Sequence, residues 1–249
     1  MRTFLSTIDP NAHVTAERHG LGLEIAEFCT AWNMDERFSE TDGTLREKLD
    51  GTGERILHGP FNELFPCAID PMVRDIARYR YRQAMELARR YGAKKLVIHG
   101  GYNPRLYYPV WYTEQSILFW KAFLEEVPPD LEIVLENVLE EEPQMLLEIL
   151  REVGDSRLRM CLDLGHVNAY SAVPVSKWID LCGRDISHFH VHNNDGTWDS
   201  HSPVNQGTIP MKEIWKQMAA LCPDATVTLE LMDSEDSVRW LEEEVWNQL

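Results

Sequence analysis

The chain of 249 residues is poor in positive charge: 24 lysines and arginines face 41 aspartates and glutamates, a net charge of -17. Nucleic acids draw most of their protein affinity from basic side chains that displace counterions, so this balance argues against a nucleic-acid partner and against anionic membrane surfaces. Long apolar runs are missing too. None approaches the roughly 20 residues of a membrane span, and the stretch from Met1 to Ile8 is too short for a signal sequence. Together these absences predict a cytoplasmic protein. Cysteine is sparse and unpatterned: Cys29, Cys67, Cys161, Cys182 and Cys222 are odd in number and include no C-x-x-C, which argues against a disulfide framework or a thiolate zinc knuckle. They read as small buried hydrophobes, with Cys161 facing the same way as Asp163 one layer deeper. No Gly-rich phosphate loop follows the first strand, where Ser6-Thr7-Ile8-Asp9-Pro10 stands, and no low-complexity linker interrupts the chain.

What is present is an ordinary globular composition, 44% apolar and 26% charged, able to bury one full core. Short apolar runs alternate with longer amphipathic ones, the pattern of βα units around a parallel sheet. Expected strands are Arg2 to Thr7, Leu21 to Phe28, Arg55 to His58, Lys94 to His99, Leu131 to Asn137, Leu158 to Asp163, Ile186 to His192 and Thr226 to Leu231. Eight units in a chain of this length, without the phosphate loop, favour a single-domain α/β (β/α)8 TIM barrel over 1–249 rather than an open doubly wound sheet. The clearest helix has Asp70 as N-cap and Pro71 at its first position, stops at Gly92, and is expected to bury Val73, Ile76, Ala77, Ala84, Leu87, Ala88 and Tyr91. Further helices are expected over 113–126, 143–153, 175–182, 211–221 and 234–249, with weak ones over 13–19 and 45–50.

In such a barrel, polar residues at the carboxyl ends of strands are active-site candidates. They form a series here: His58, His99, Glu136, Asp163 with His166, His192, the loop residues Asp199 and His201, and Glu230. Nitrogen and oxygen ligands without sulfur suit Zn, Mn, Fe or Co. Glu136, Asp163, His192 and Glu230 suffice for one divalent ion, whereas all nine imply two or three ions, an arrangement suited to hydrolysis.

The motifs His58-Gly59-Pro60-Phe61-Asn62, Val97-Ile98-His99-Gly100-Gly101, Leu135-Glu136-Asn137-Val138, Leu162-Asp163-Leu164-Gly165-His166, His190-Val191-His192-Asn193-Asn194-Asp195 and Leu229-Glu230-Leu231 resemble the xylose-isomerase-like TIM-barrel superfamily. That group contains sugar and sugar phosphate isomerases and epimerases together with the type IV apurinic endonucleases. The epimerase-type branch implies metal ligands at Glu136, Asp163, His192 and Glu230, the two glutamates doubling as the proton-transferring pair through an enediolate, and substrate contact at His166. The endonuclease branch implies three zinc ions held by all nine residues, and its members grip DNA with extended basic loops. The corresponding loops here are short and the chain is strongly acidic; Asn103 to Pro109 holds a single positive charge at Arg105. The preferred expectation is a metal-dependent isomerase or epimerase acting on a small sugar, polyol or sugar phosphate, with a multi-metal phosphoesterase as the alternative and a dehydratase as a third course. A homo-oligomer is left open, because this fold often associates.

Lesser signals are Trp32, Trp111, Tyr112 and Trp198 after strands, as sugar-stacking or loop-packing residues, and Arg105 as a phosphate anchor or a solvated arginine. Glu24 is expected in an ion pair inside the barrel. His188 and His190 are expected as hydrogen-bonded histidines below His192, and Glu140-Glu141-Glu142 as a solvated helix start.

Overall fold

A computed structural model describes residues 1–248. Eight parallel strands close on themselves in sequential order: β1 (Thr3–Ser6), β2 (Gly22–Ile25), β3 (Arg55–His58), β4 (Lys95–His99), β5 (Glu132–Glu136), β6 (Leu158–Asp163), β7 (Ile186–Val191) and β8 (Thr226–Leu229). The expected barrel is therefore present, each strand within the span its apolar run predicts.

Around it lie α1 (Ala12–His19), α2 (Ala31–Met34), α3 (Phe38–Leu49), α4 (Pro71–Tyr91), α5 (Pro109–Phe123), α6 (Gln144–Val153), α7 (Leu164–Tyr170), α8 (Val175–Cys182), α9 (Met211–Leu221) and α10 (Glu235–Glu244). The second βα unit is irregular, as expected: a 3-10 turn and the short α2 precede α3, which is longer than its sequence signal suggests. The expected final helix ends at Glu244, a 3-10 turn covers Trp246–Gln248, and Leu249 lies outside the described residues.

Capping chemistry sets the limits of α4. Asp70 accepts a hydrogen bond from the Met72 amide (2.8 Å), Pro71 fills a position that has no amide to spare, and Gly92 takes the left-handed conformation (φ 70°) that ends the helix. Two expectations for this helix fail. Val73 is only half-buried. Ile76 is 53% exposed, and Tyr81, fully buried, occupies the inner face instead. A Tyr81 ring stacked on Trp120 (5.9 Å) fixes which side of α4 turns inward.

Strand alternation then divides the core in two. Leu57, Ile98, Leu135, Leu162, Phe189 and Val191 face out and pack under the helices. Phe4, Ile56, Val97, Val134 and Cys161 form a separate apolar layer inside the barrel. Two residues further along the same strands, on the same side, come His58, His99, Glu136 and Asp163. The two-residue period thus places His58, His99, Glu136 and Asp163 directly above this apolar plug and makes the mouth of the barrel polar.

Candidate metal centre

A second polar layer underlies the mouth. Glu24 on β2 is fully buried and touches two imidazoles of β7: His188 Nε2 at 3.1 Å and His190 Nε2 at 2.9 Å. Thr228 donates to the same carboxylate (2.5 Å), and Thr226 contacts His188 Nδ1 (2.7 Å). The ion pair expected for Glu24 is therefore inside the barrel. Burial, which disfavours an imidazolium, pulls His188 down to about 4, whereas Glu24 is held well below the usual carboxylate range by His190 and His188 despite its burial.

All nine residues of the sequence series join one network above this layer. His58 and His99 approach Glu136 Oε2 at 3.3 and 3.2 Å. His166 lies 3.4 Å from Glu136, 3.6 Å from Asp163 and 3.3 Å from Asp199. His192 Nε2 lies 3.2 Å from Asp163 and 3.5 Å from Asp199. His201 Nε2 is 3.1 Å from Asp199, its ring stacks on His192 at 4.0 Å, and its Nδ1 meets the Glu230 carbonyl at 2.9 Å. His201 holds a positive φ of 46°, a backbone cost accepted by few non-glycine residues. That twist aims its ring into the cluster.

The grouping of ligand atoms differs from the sequence expectation in one respect. The four that lie mutually within 4.8 Å around the centre are Glu136, Asp163, Glu230 and His190, not His192. His190 Nδ1 is 3.4 Å from both Glu136 and Glu230 and 3.8 Å from Asp163. His192 instead groups with His201 and Glu230, while His58 and His99 group with Glu136. Glu136 and Glu230 are each shared between neighbouring groups, the position a bridging carboxylate occupies.

Fixed local geometry supports these side chains. Asp163 caps α7 by accepting from the His166 amide (2.6 Å). Asn137, which strand-end chemistry alone does not single out, clamps the backbone of Asp163 in both directions (2.8 and 3.1 Å), and its carbonyl accepts from His166 Nδ1 (2.9 Å). The signal was its place directly after Glu136. Gly165 has no side chain because His192 occupies that space; a Cβ there would sit 1.8 Å from the imidazole. Phe61 stacks on His99 at 4.4 Å, a further contact that spacing alone did not reveal.

Burial and neighbouring charge pull against each other across the cluster. Burial alone would raise Glu136, yet His99, His190 and His58 hold it well below the usual range. Asp163 is likewise lowered against burial by His166 and His192. Burial would depress His166, but Asp163, Asp199 and Glu136 lift it to about 10; Asp199 and Glu230 lift His201 to about 9 in the same way. His99 falls below its ordinary value because burial outweighs Glu136. Protons thus stand where positive charge is wanted. Glu136 Oε2, His190 Nδ1, His192 Nδ1 and Asp199 Oδ1 are all shielded and make no hydrogen bond. Buried polar atoms without partners are costly, and unused lone pairs among hard and borderline donors are what a divalent ion satisfies. The residues fit such an ion.

Away from the cluster, Glu140 is buried, accepting from the Val138 amide (2.7 Å) and from Tyr112 (3.4 Å), so it is no part of a solvated run; Glu141 and Glu142 are exposed. Trp111 donates to the Cys67 carbonyl (2.9 Å) and Tyr112 is fully buried, both packing loops onto the barrel. Trp32 and Trp198 are 57% and 67% exposed, and Arg105 projects into solvent. The cysteines are all free.

The fold and the mouth cluster define a (β/α)8 barrel with a carboxylate–imidazole centre at the carboxyl ends of its strands. Residues 16–245 match the xylose isomerase-like TIM barrel family, and the chain belongs to that family. It is 28% identical over 200 residues to the uncharacterized protein MJ1311 of Methanocaldococcus jannaschii, covering 75% of this chain and 67% of that one. Among solved structures it resembles a D-tagatose 3-epimerase-like protein (TM-score 0.80, 22% identity, 98% of this chain and 95% of that one). It also resembles the TTHB071 protein from Thermus thermophilus soaked with zinc chloride (TM-score 0.77, 23% identity, 98% and 97%). An IOLI protein with a bound zinc atom is similar in fold (TM-score 0.73, 16% identity, 98% and 96%). Among the described residues no helix is long and apolar enough to cross a membrane.

Proposed function

We propose that the protein is a metal-dependent isomerase or epimerase acting on a small sugar or polyol-derived carbonyl compound. The observation that carries this reading is the convergence of Glu136 at the end of β5 and Glu230 just beyond β8 on one cluster, their ligand atoms within 4.8 Å of each other and of Asp163. Glu136, Asp163 and Glu230 would hold the central ion together with His190, whose Nδ1 is the imidazole atom grouped with them, and His192, His58, His99, His166, Asp199 and His201 would flank it. A divalent cation there supplies Lewis acidity, polarising a substrate carbonyl and its neighbouring hydroxyl so that the C–H between them becomes acidic.

The chain's own groups do the rest. One glutamate takes the proton from carbon, leaving an enediolate, and the other returns a proton, to the opposite face in an epimerase or to the neighbouring carbon in an isomerase. Composition is unchanged overall. His166, its Nδ1 hydrogen committed to the Asn137 carbonyl, presents Nε2 toward Asp199 and the pocket, where it can meet a substrate hydroxyl. Charge argues for an uncharged substrate over a phosphate ester. Among the described residues no lysine or arginine pairs with Glu136, Asp163, Asp199 or Glu230, and Arg105 is exposed to solvent. The fold shared with a D-tagatose 3-epimerase-like protein supports a sugar epimerase, and that shared with an IOLI protein holding a zinc atom supports a metal.

The test is solvent exchange in deuterium oxide with Mn- or Co-loaded protein across free ketoses and aldoses and their phosphates, read by NMR. Exchange at the carbon beside the carbonyl is expected, faster for the free sugars. No exchange with any substrate overturns the reading.

A second reading, phosphoester hydrolysis by a multi-metal cluster, is favoured by Asp199 standing between His166 (3.3 Å) and His201 (3.1 Å) while Glu136 stands between His58 and His99. It requires two or three ions per chain and hydrolysis of a simple phosphodiester by the loaded protein.

A further inference from the structure

Two neighbouring helices turn apolar side chains outward. On α4 the outer stripe is Met72, Ile76 and Tyr79, 74%, 53% and 54% exposed; beside it Tyr108, Val110 and Leu118, at the start and along the outside of α5, are 85%, 68% and 62% exposed. The helices are in contact: the Arg78 guanidinium lies 5.8 Å from the Phe119 ring, and a shallow groove of about 200 Å³ runs between Arg74, Asp75 and Leu118. On α4 the spacing of three and four residues keeps the stripe on one face, opposite the buried Ala77, Tyr81, Ala84 and Ala88.

Area and charge both say what covers this face. The six residues together expose on the order of 800 Å², about what one partner contributes to a standard interface. Segments 69–79 and 103–118 carry Arg74, Arg78 and Arg105 against Asp70, Asp75 and Glu114, a net charge of zero in a chain of -17. Two copies of so acidic a chain repel each other over most of their surfaces. Here they can approach without that cost, and a twofold axis can set arginines of one copy against carboxylates of the other. A strongly charged partner would call for a face of one sign, which this is not.

We propose that the α4–α5 face joins two copies of this chain in a twofold dimer. The face holds none of the candidate metal ligands, so the dimer stands or falls apart from the proposed reaction. The full chain, 28.9 kDa, should sediment at twice that mass over roughly 1–100 µM. Ile76→Glu combined with Leu118→Glu should return it to monomer, raising the dimer dissociation constant at least 100-fold. Leu181→Glu, a comparably exposed apolar site on α8, should leave the mass unchanged. Should the double glutamate variant fail to fold, Met72→Gln with Tyr108→Ser makes the same test more gently. A parent chain that is monomeric throughout overturns the proposal, as does a dimer that survives these changes; a monomer that co-floats with phosphatidylcholine vesicles overturns it in favour of a lipid surface.

Discussion

Replacing Asp199 with alanine asks directly what the loop after β7 contributes. Asp199 lies within 3.1 to 3.5 Å of three imidazoles, His201, His166 and His192. Its Oδ1 is shielded from solvent and makes no hydrogen bond. If the carboxylate is a ligand, its removal takes one oxygen and the charge that holds His166 and His201 in their present orientations. Even the loss of a residue that merely orients a ligand costs about 10–100-fold in metal affinity, or about 1.4–2.7 kcal/mol, and a direct ligand should cost at least that. The central group of Glu136, Asp163 and Glu230 is untouched by the change. Under the multi-metal reading, Asp199→Ala should therefore lose one ion per chain, or bind it at least 100-fold more weakly, while retaining the central one. Metal content by mass spectrometry across a range of free zinc, with calorimetric titration of the stripped protein, provides the measurement. Unchanged stoichiometry and affinity would mean that Asp199 only orders its loop, and the multi-metal reading would fall with it.

Two further outcomes concern stability. Glu24→Leu leaves Thr228, His188 and His190 without their buried carboxylate, and removal of one partner from a buried ion pair costs about 3–5 kcal/mol, or roughly 6–20 °C in Tm for a chain of this size; a calorimetric shift under about 2 °C would contradict the pairing. Asp42 binds Arg90 through both oxygens (2.7 and 2.9 Å) and accepts from the Tyr91 hydroxyl (2.7 Å), and the Arg90 guanidinium in particular holds its carboxyl far below the usual range. A depressed carboxyl stabilises the fold above its unfolded value near 3.9 and loses that contribution as pH falls toward its folded value. Asp42→Asn should cost about 1 kcal/mol at pH 7, given the partial exposure of the pair, and urea midpoints of variant and parent should converge below about pH 4; a constant gap across that range would refute the assignment.

Much of this was legible locally. The strand that ends in Asp163, the helix capped by Asp70 and the step from Val97 to His99 follow from the two-residue and 3.6-residue periods and from capping chemistry, which involve only near neighbours in the chain. The nine candidate ligands could be named because ionisable side chains at successive strand ends of a barrel point into its mouth, where packing alone would not place them. Misjudged positions were those settled by distant partners. Ile76 satisfies the helical stripe as well as Tyr81 does until Trp120 claims one face. Glu140 looks solvated until the Val138 amide and Tyr112 enclose it.

Sequence by itself thus determined the barrel and the side from which each candidate ligand projects, since these depend on residue type and parity along single strands. Only the tertiary structure decided which ligands meet. The stagger of the closed barrel brings His190 rather than His192 among Glu136, Asp163 and Glu230, and the left-handed turn at His201 folds Asp199 back over the mouth. Those groupings join residues up to about a hundred positions apart, through strand register and loop path, and no local pattern records either.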